Sequence, residues 1–155
     1  MVDTPDSSIV VFGPTDNGTV VPARTIAGPP TRLAGSVSYI FGIATDIPGN
    51  LYVLGIFSPT DVSEYNVFGI FEFAPSADGS GAPIRFVTSS EMYPWTGGNG
   101  IAVDSAGTIY VSSGTTSGTQ TVFEFSNSAS GSVAATNTVT IPGSTDSPSS
   151  RIAVH

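Results

Sequence analysis

The stretch Gly100-Ile101-Ala102-Val103-Asp104-Ser105-Ala106-Gly107-Thr108-Ile109-Tyr110-Val111 decides the fold. Two short runs rich in β-branched and aromatic residues flank the polar break Asp104–Gly107. That pattern predicts two strands joined by a tight hairpin. The same pattern recurs at Gly42-Ile43-Ala44-Thr45-Asp46-Ile47-Pro48-Gly49-Asn50-Leu51-Tyr52-Val53, and a third start follows at Arg151-Ile152-Ala153-Val154-His155.

A second unit repeats out of phase with the first. Phe12, Pro14, Gly18, Pro22 and Arg24 recur as Phe73, Pro75, Gly79, Pro83 and Arg85, each 61 residues later. Phe71, Glu72, Phe73, Gly79 and Val87 recur as Phe123, Glu124, Phe125, Gly131 and Val139, each 52 later. The gapless register over seventeen positions, Val10–Ile26 against Phe71–Val87 and Phe123–Val139, marks a true internal repeat. Phe71 and Phe73 alternate with Glu72 as pleated strands require, which places Glu72 and Glu124 on a solvated side. Pro75 and Gly79 then break the strand, and Pro83 can stand only at a strand start or on an edge.

Four short strands per period of roughly 52–61 residues is the arithmetic of a propeller blade. The expected fold class is all-β: a β-propeller of four-stranded antiparallel blades, incomplete in one chain. Naming the strands a to d from the inside, the chain is one partial domain over 1–155. It opens with strands c and d (Ile9–Phe12 and Ala23–Ile26, fragment 9–26), continues through blades 42–87 and 100–139, and starts another strand a within 151–155 (Ile152–Val154). Strand b of the first blade is missing unless Val2–Ser7 supplies it. No stretch free of Gly and Pro shows helical periodicity.

Composition sets the outer limits. The 155 residues suit one domain with a buried core. Formal charge is −8, with no Lys and only Arg24, Arg32, Arg85 and Arg151 positive. Such a surface repels phosphate backbones and anionic lipid, so neither nucleic acid nor an anionic membrane surface is an expected partner. The most apolar region, Val37–Phe57, is interrupted by Asp46, Pro48, Gly49 and Asn50, so no membrane insertion is expected. Hydrophobic residues reach 39% despite abundant Gly, Pro, Ser and Thr, which favours folding over disorder. Without Cys there are no disulfides and no thiol chemistry. Met1–Asp6 lacks the basic and apolar regions of a signal peptide. The Lys-free, Ser/Thr/Gly-rich composition points to an extracellular or cell-surface setting.

In its residues the sequence resembles NHL-repeat propellers, within the wider neighbourhood of six-bladed, gluconolactonase-like propellers. The resemblance rests on Gly100–Val111, Gly42–Val53, Val122-Phe123-Glu124-Phe125, Val11-Phe12 and Pro22-Ala23-Arg24-Thr25-Ile26-Ala27-Gly28. These are structural motifs, not catalytic ones. After Tyr-Val the family places a polar Asp or Asn, where this chain has Leu54-Gly55 and Ser112-Ser113.

Two whole blades and two fragments cannot close a ring. Either the chain belongs to a longer propeller, or copies assemble. A homodimer of about six blades fits the size that the resemblance implies, with strand a of one copy set beside strands c and d of the other.

The chemical groups are few. The single His, His155, is a poor base at that position, so no catalytic residue is assigned. Asp46 and Asp104 occupy equivalent places after strand a. They read as caps of their hairpin turns, with oxygen ligation of Ca²⁺ as the competing role. No other metal or cofactor is expected. Asn17-Gly18-Thr19 matches a glycosylation acceptor, but Asn-Gly in a strand connection is read as a turn.

Binding residues are expected on the loops between blades and between strands b and c: Arg32, Asp61, Glu64, Tyr65, Glu91, Tyr93 and Trp95. A non-enzymatic module that binds a protein or glycan, or acts as a scaffold, is the main expectation. The alternatives are a metal-dependent, lactonase-like hydrolase and a purely structural assembly unit.

Overall fold

The computed structural model describes residues 2–3, 8–33, 39–57, 67–92, 100–114, 119–141 and 152–154. They form an all-β arrangement of three sheets. The first contains β1 (Val2–Asp3), β2 (Ser8–Val11) and β3 (Arg24–Ile26), paired in that order. The second runs β4 (Tyr39–Thr45), β5 (Leu51–Phe57), β6 (Val67–Phe73) and β7 (Arg85–Thr88). The third runs β8 (Gly100–Val103), β9 (Ile109–Gly114), β10 (Gln120–Phe125) and β12 (Asn137–Ile141). Each of these neighbouring strand pairs is antiparallel.

β2 and β3 start and stop within one residue of the Ile9–Phe12 and Ala23–Ile26 read from the sequence. The missing neighbour of β2 is supplied by Val2–Asp3, which pairs with Ser8 and Ile9. Ile152–Val154, expected to begin a further strand, lies outside the three sheets formed by the described residues.

The 7-residue runs of β5 and β6 are apolar nearly throughout because their sheet is covered on both faces. Alternate side chains go to opposite sides. Val53, Phe57, Phe71 and Phe73 pack with Ile9, Ile26 and Leu33 of the first sheet and the turn after it. Tyr52, Leu54, Ile56, Phe68 and Ile70 pack with Ile101, Ile109, Val111, Phe123 and Phe125 of the third. Full burial of such a Phe, Leu or Ile side chain contributes about 1.5–3 kcal/mol, so these two seams carry the apolar stabilisation of the stack.

Glu72 corrects the sequence reading. It was expected on a solvated side, yet it is only 8% exposed, because the middle sheet has no solvated face there.

Backbone pairing also crosses between sheets, which the sequence did not announce. The segment β11 (Gly131–Ser132), from the loop between β10 and β12, pairs in parallel with β7 of the second sheet. Its counterpart Gly79 makes a parallel bridge with Ile26 of the first. The amide of Gly79 donates to Thr25 O (2.8 Å), and the amide of Ala27 to Gly79 O (2.9 Å). Val133 N donates to Thr88 O (2.9 Å) at the next seam. Gly79 and Gly131 have φ of 58° and 71°, a left-handed backbone that glycine adopts at little cost.

No helix among the described residues is long and apolar enough to cross a membrane.

Candidate functional site

A cleft of about 520 Å³ lies between the second and third sheets, lined largely by polar side chains. Its walls are the β4–β5 and β8–β9 turns, the β10 end at Asn127, and the strand residues Tyr52, Glu72 and Arg85. The volume is within the range of small-molecule pockets.

The turns are built by the two repeated aspartates. Asp46 Oδ1 accepts from the Asn50 amide (2.7 Å), and Oδ2 accepts from Asn50 Nδ2 (2.7 Å) and the Tyr52 hydroxyl (3.1 Å). Asp104 Oδ1 accepts from the amides of Ala106 and Thr108 (both 2.9 Å), and Oδ2 from the Tyr110 hydroxyl (3.1 Å). Gly49 and Gly107 close the two turns with φ of 92° and 81°.

Burial pushes the Asp46 carboxyl up, but the bonds from Asn50, Tyr52 and Gly49 outweigh it and hold it below the usual value. Asp104 is lowered chiefly by the Thr108 amide, with Tyr110 and Ala106 adding to it. The Tyr52 phenol is raised, first by burial, then by the negative charges of Glu72 and Asp46. Tyr110 is raised by burial and by its bond to Asp104.

On the cleft wall Glu72 and Arg85 are cross-strand partners and form an ion pair through Arg85 Nε. The other end of the guanidinium donates to Asn127 O and, at 3.0 Å, to Ala129 O, both in the third sheet's turn. Arg24 repeats this grip one sheet earlier, donating to Pro75 O (2.5 Å) and Ala77 O (2.9 Å). Asn127 Nδ2 in turn donates to Ala106 O (2.9 Å). The charged groups of the cleft are thus committed to holding turns and sheets together. The arrangement offers a shaped, hydrogen-bonding surface.

Two of the seven expected binding residues fall in the described part. Glu91 Oε2 accepts from the Ala135 amide (2.7 Å) and ties the segment after β7 to the third sheet. Arg32, at φ 60°, places its guanidinium 5.9 Å from the Phe71 ring centre, on the side of the first sheet. These two residues therefore serve different seams. Asp61, Glu64, Tyr65, Tyr93 and Trp95 lie outside the described residues, as does His155.

Among the described residues no group of three or more His, Cys, Asp or Glu could hold a metal ion. The cleft itself was missed from sequence. The signal was present in the six-residue Asp-to-Tyr spacing, repeated at Asp46/Tyr52 and Asp104/Tyr110, and in Arg24 and Arg85 recurring in register.

No protein-family model, no curated protein and no solved structure matches the sequence.

Proposed function

We propose that the chain is a non-enzymatic, NHL-like β-propeller module, a rigid stack of blades used for binding or scaffolding. The observation that carries this reading is the repeated grip between sheets. Arg24 and Arg85, equivalent residues, each reach two carbonyls of equivalent turns in the following sheet. A seam built twice from the same parts is how repeat architectures stack their units. Asp46 and Asp104 support the same reading, since their carboxylate oxygens are spent on their own turns.

The ligand side of the reading rests on residue type, with Trp95 and Tyr93 as aromatic platforms for a glycan face or a protein side chain. Screening against glycans and proteins, followed by Trp95→Ala, tests it. Weakened binding with an unchanged unfolding transition is expected, and unchanged binding removes Trp95 from the site. Calcium titration separates the module from a metal-dependent hydrolase. No saturable heat is expected; saturable heat abolished by Asp46→Asn or Asp104→Asn would overturn the non-enzymatic reading.

A further inference from the structure

The seams between sheets leave a matched pair of surfaces uncovered at the two ends of the stack. Ile26 and Val87 are equivalent residues, each 1% exposed under the sheet that follows; Val139, the third of the series, is 53% exposed. Phe73 and Phe125 are equivalent and fully buried against the sheet that precedes them; Phe12, their counterpart in the first sheet, is 42% exposed. Phe73 shares its apolar cluster with Ile26, and Phe125 shares its cluster with Val87. What Val139 lacks is therefore a Phe12-type face, and what Phe12 lacks is a Val139-type face.

Backbone features at the two ends agree. Gly18 has φ 70°, matching Gly79 and Gly131, whose segments pair with Ile26 and Val87 of the sheet before them. The turn before it repeats too: Asp16 N to Gly13 O, Ala77 N to Ala74 O and Ala129 N to Ser126 O are one bond in three copies. The inner strands add a third match. Ile101 is buried beside Gly42 of β4, while its counterpart Ile43 is exposed. Ile152-Ala153-Val154 repeats Ile101-Ala102-Val103 in sequence and pairs with no strand among the described residues.

The geometry points to a second copy of this chain as the occupant, docked head to tail, with its Gly18 segment along β12 and its Phe12 on Val139. Ile152–Val154 then becomes the fourth strand of the second copy's first sheet and covers its Ile43. The same junction formed in the other direction closes a two-chain ring of six sheets, as a head-to-tail interface must if it is not to run on as a filament. One difference from the internal seams is set by sequence: Asn137 stands where Arg24 and Arg85 stand, so this junction lacks their guanidinium grip. The Asn137 amide instead bonds Glu124 of its own sheet (3.3 Å). The inference rests on the stacked-sheet reading above.

Light-scattering mass on the full chain is the test. The wild type is expected at twice its 15.8 kDa chain mass. Val139→Lys and Phe12→Asp, both at exposed positions, are each expected to give the single-chain mass. An equimolar mixture of the two is expected to regain the paired species, because Val139 of one variant can still meet Phe12 of the other. Asn137→Arg is expected to slow dissociation of the pair. A wild type of single-chain mass, a paired species untouched by either substitution, or a mixture that stays single overturns the inference. Amide exchange of Gly79 in the same samples reads the seam inside one chain. Slow exchange in a single-chain species means that only the docking fails, whereas fast exchange means that the stack itself does.

Discussion

Arg85 joins two sheets with one side chain: it pairs with Glu72 across the β6–β7 ladder and donates to Asn127 O and Ala129 O of the following turn. Its guanidinium also lies 6.0 Å from the Tyr52 ring centre. Arg85→Ala strands a nearly buried carboxylate and frees two carbonyls, so it should cost about 2–4 kcal/mol. Arg85→Lys, which lacks the planar fork, should recover only part of that loss. Denaturant unfolding of the two variants against wild type measures both effects.

Arg24 makes the same reach, donating to Pro75 O and Ala77 O, but its cross-strand partner is Val11 where that of Arg85 is Glu72. Arg24→Ala should therefore cost less, about 1–2 kcal/mol for two lost hydrogen bonds. A loss at Arg24 equal to that at Arg85 would show that the ion pair with Glu72 adds nothing. The same unfolding series decides this.

Gly55 and Gly69 face each other as partners across β5 and β6. A Cβ on Gly69 would come within 2.6 Å of Val87 O and of the Phe86 ring, and one on Gly55 would run into Tyr39 O. Backbone atoms cannot yield as a flexible side chain does. Gly69→Ala and Gly55→Ala should each destabilise by about 1–3 kcal/mol or more through overpacking. Gly18→Ala meets no atom within 4 Å and should show only the cost of its left-handed backbone.

Acid should weaken the fold through its turns. The carboxyls of Asp46 and Asp104 are held below their ordinary value in the folded chain, so the unfolded chain takes up protons first as pH falls. Their contribution is fully present above the ordinary carboxylate value of 3.8 and is lost as pH drops through the lowered folded values. Tyr52 and Tyr110 act at the other end: their raised folded values make a contribution that is present below the ordinary phenol value of 10.0 and lost as pH rises beyond it. Asp46→Asn and Asp104→Asn should flatten the acid limb of stability against pH, and Tyr52→Phe the alkaline limb. Unfolding free energy measured across the pH range shows whether they do.

Much of the strand framework was legible because its punctuation is chemical. Asp46 and Asp104, each followed by a glycine three positions on, mark hairpin turns by residue type, and the Phe-Glu-Phe runs mark pleated strands. Glu72 was misread because alternation tells which residues share a face and not whether that face meets water. Here the face meets the third sheet, and the carboxylate is neutralised by an arginine 13 residues away. β11 was illegible for a different reason. Gly131-Ser132 has no strand-forming side chains, and its pairing comes from the edge of β7 that it happens to meet. The cleft needed both facts at once, since its walls belong to two sheets. The loop residues are legible by type alone, whereas the bond of the Glu91 carboxylate to a backbone amide of the neighbouring sheet depends on how the sheets stack.

The central claim is that the sheets stack through a repeated backbone seam, and the amides of Gly79, Ala27 and Val133 lie in it. Residue-resolved hydrogen exchange on the full chain tests this most directly. All three amides should exchange as slowly as those inside β5 and β6, and only on cooperative opening of the stack. Exchange at the rate of an open turn, with β5 and β6 still protected, would contradict the account.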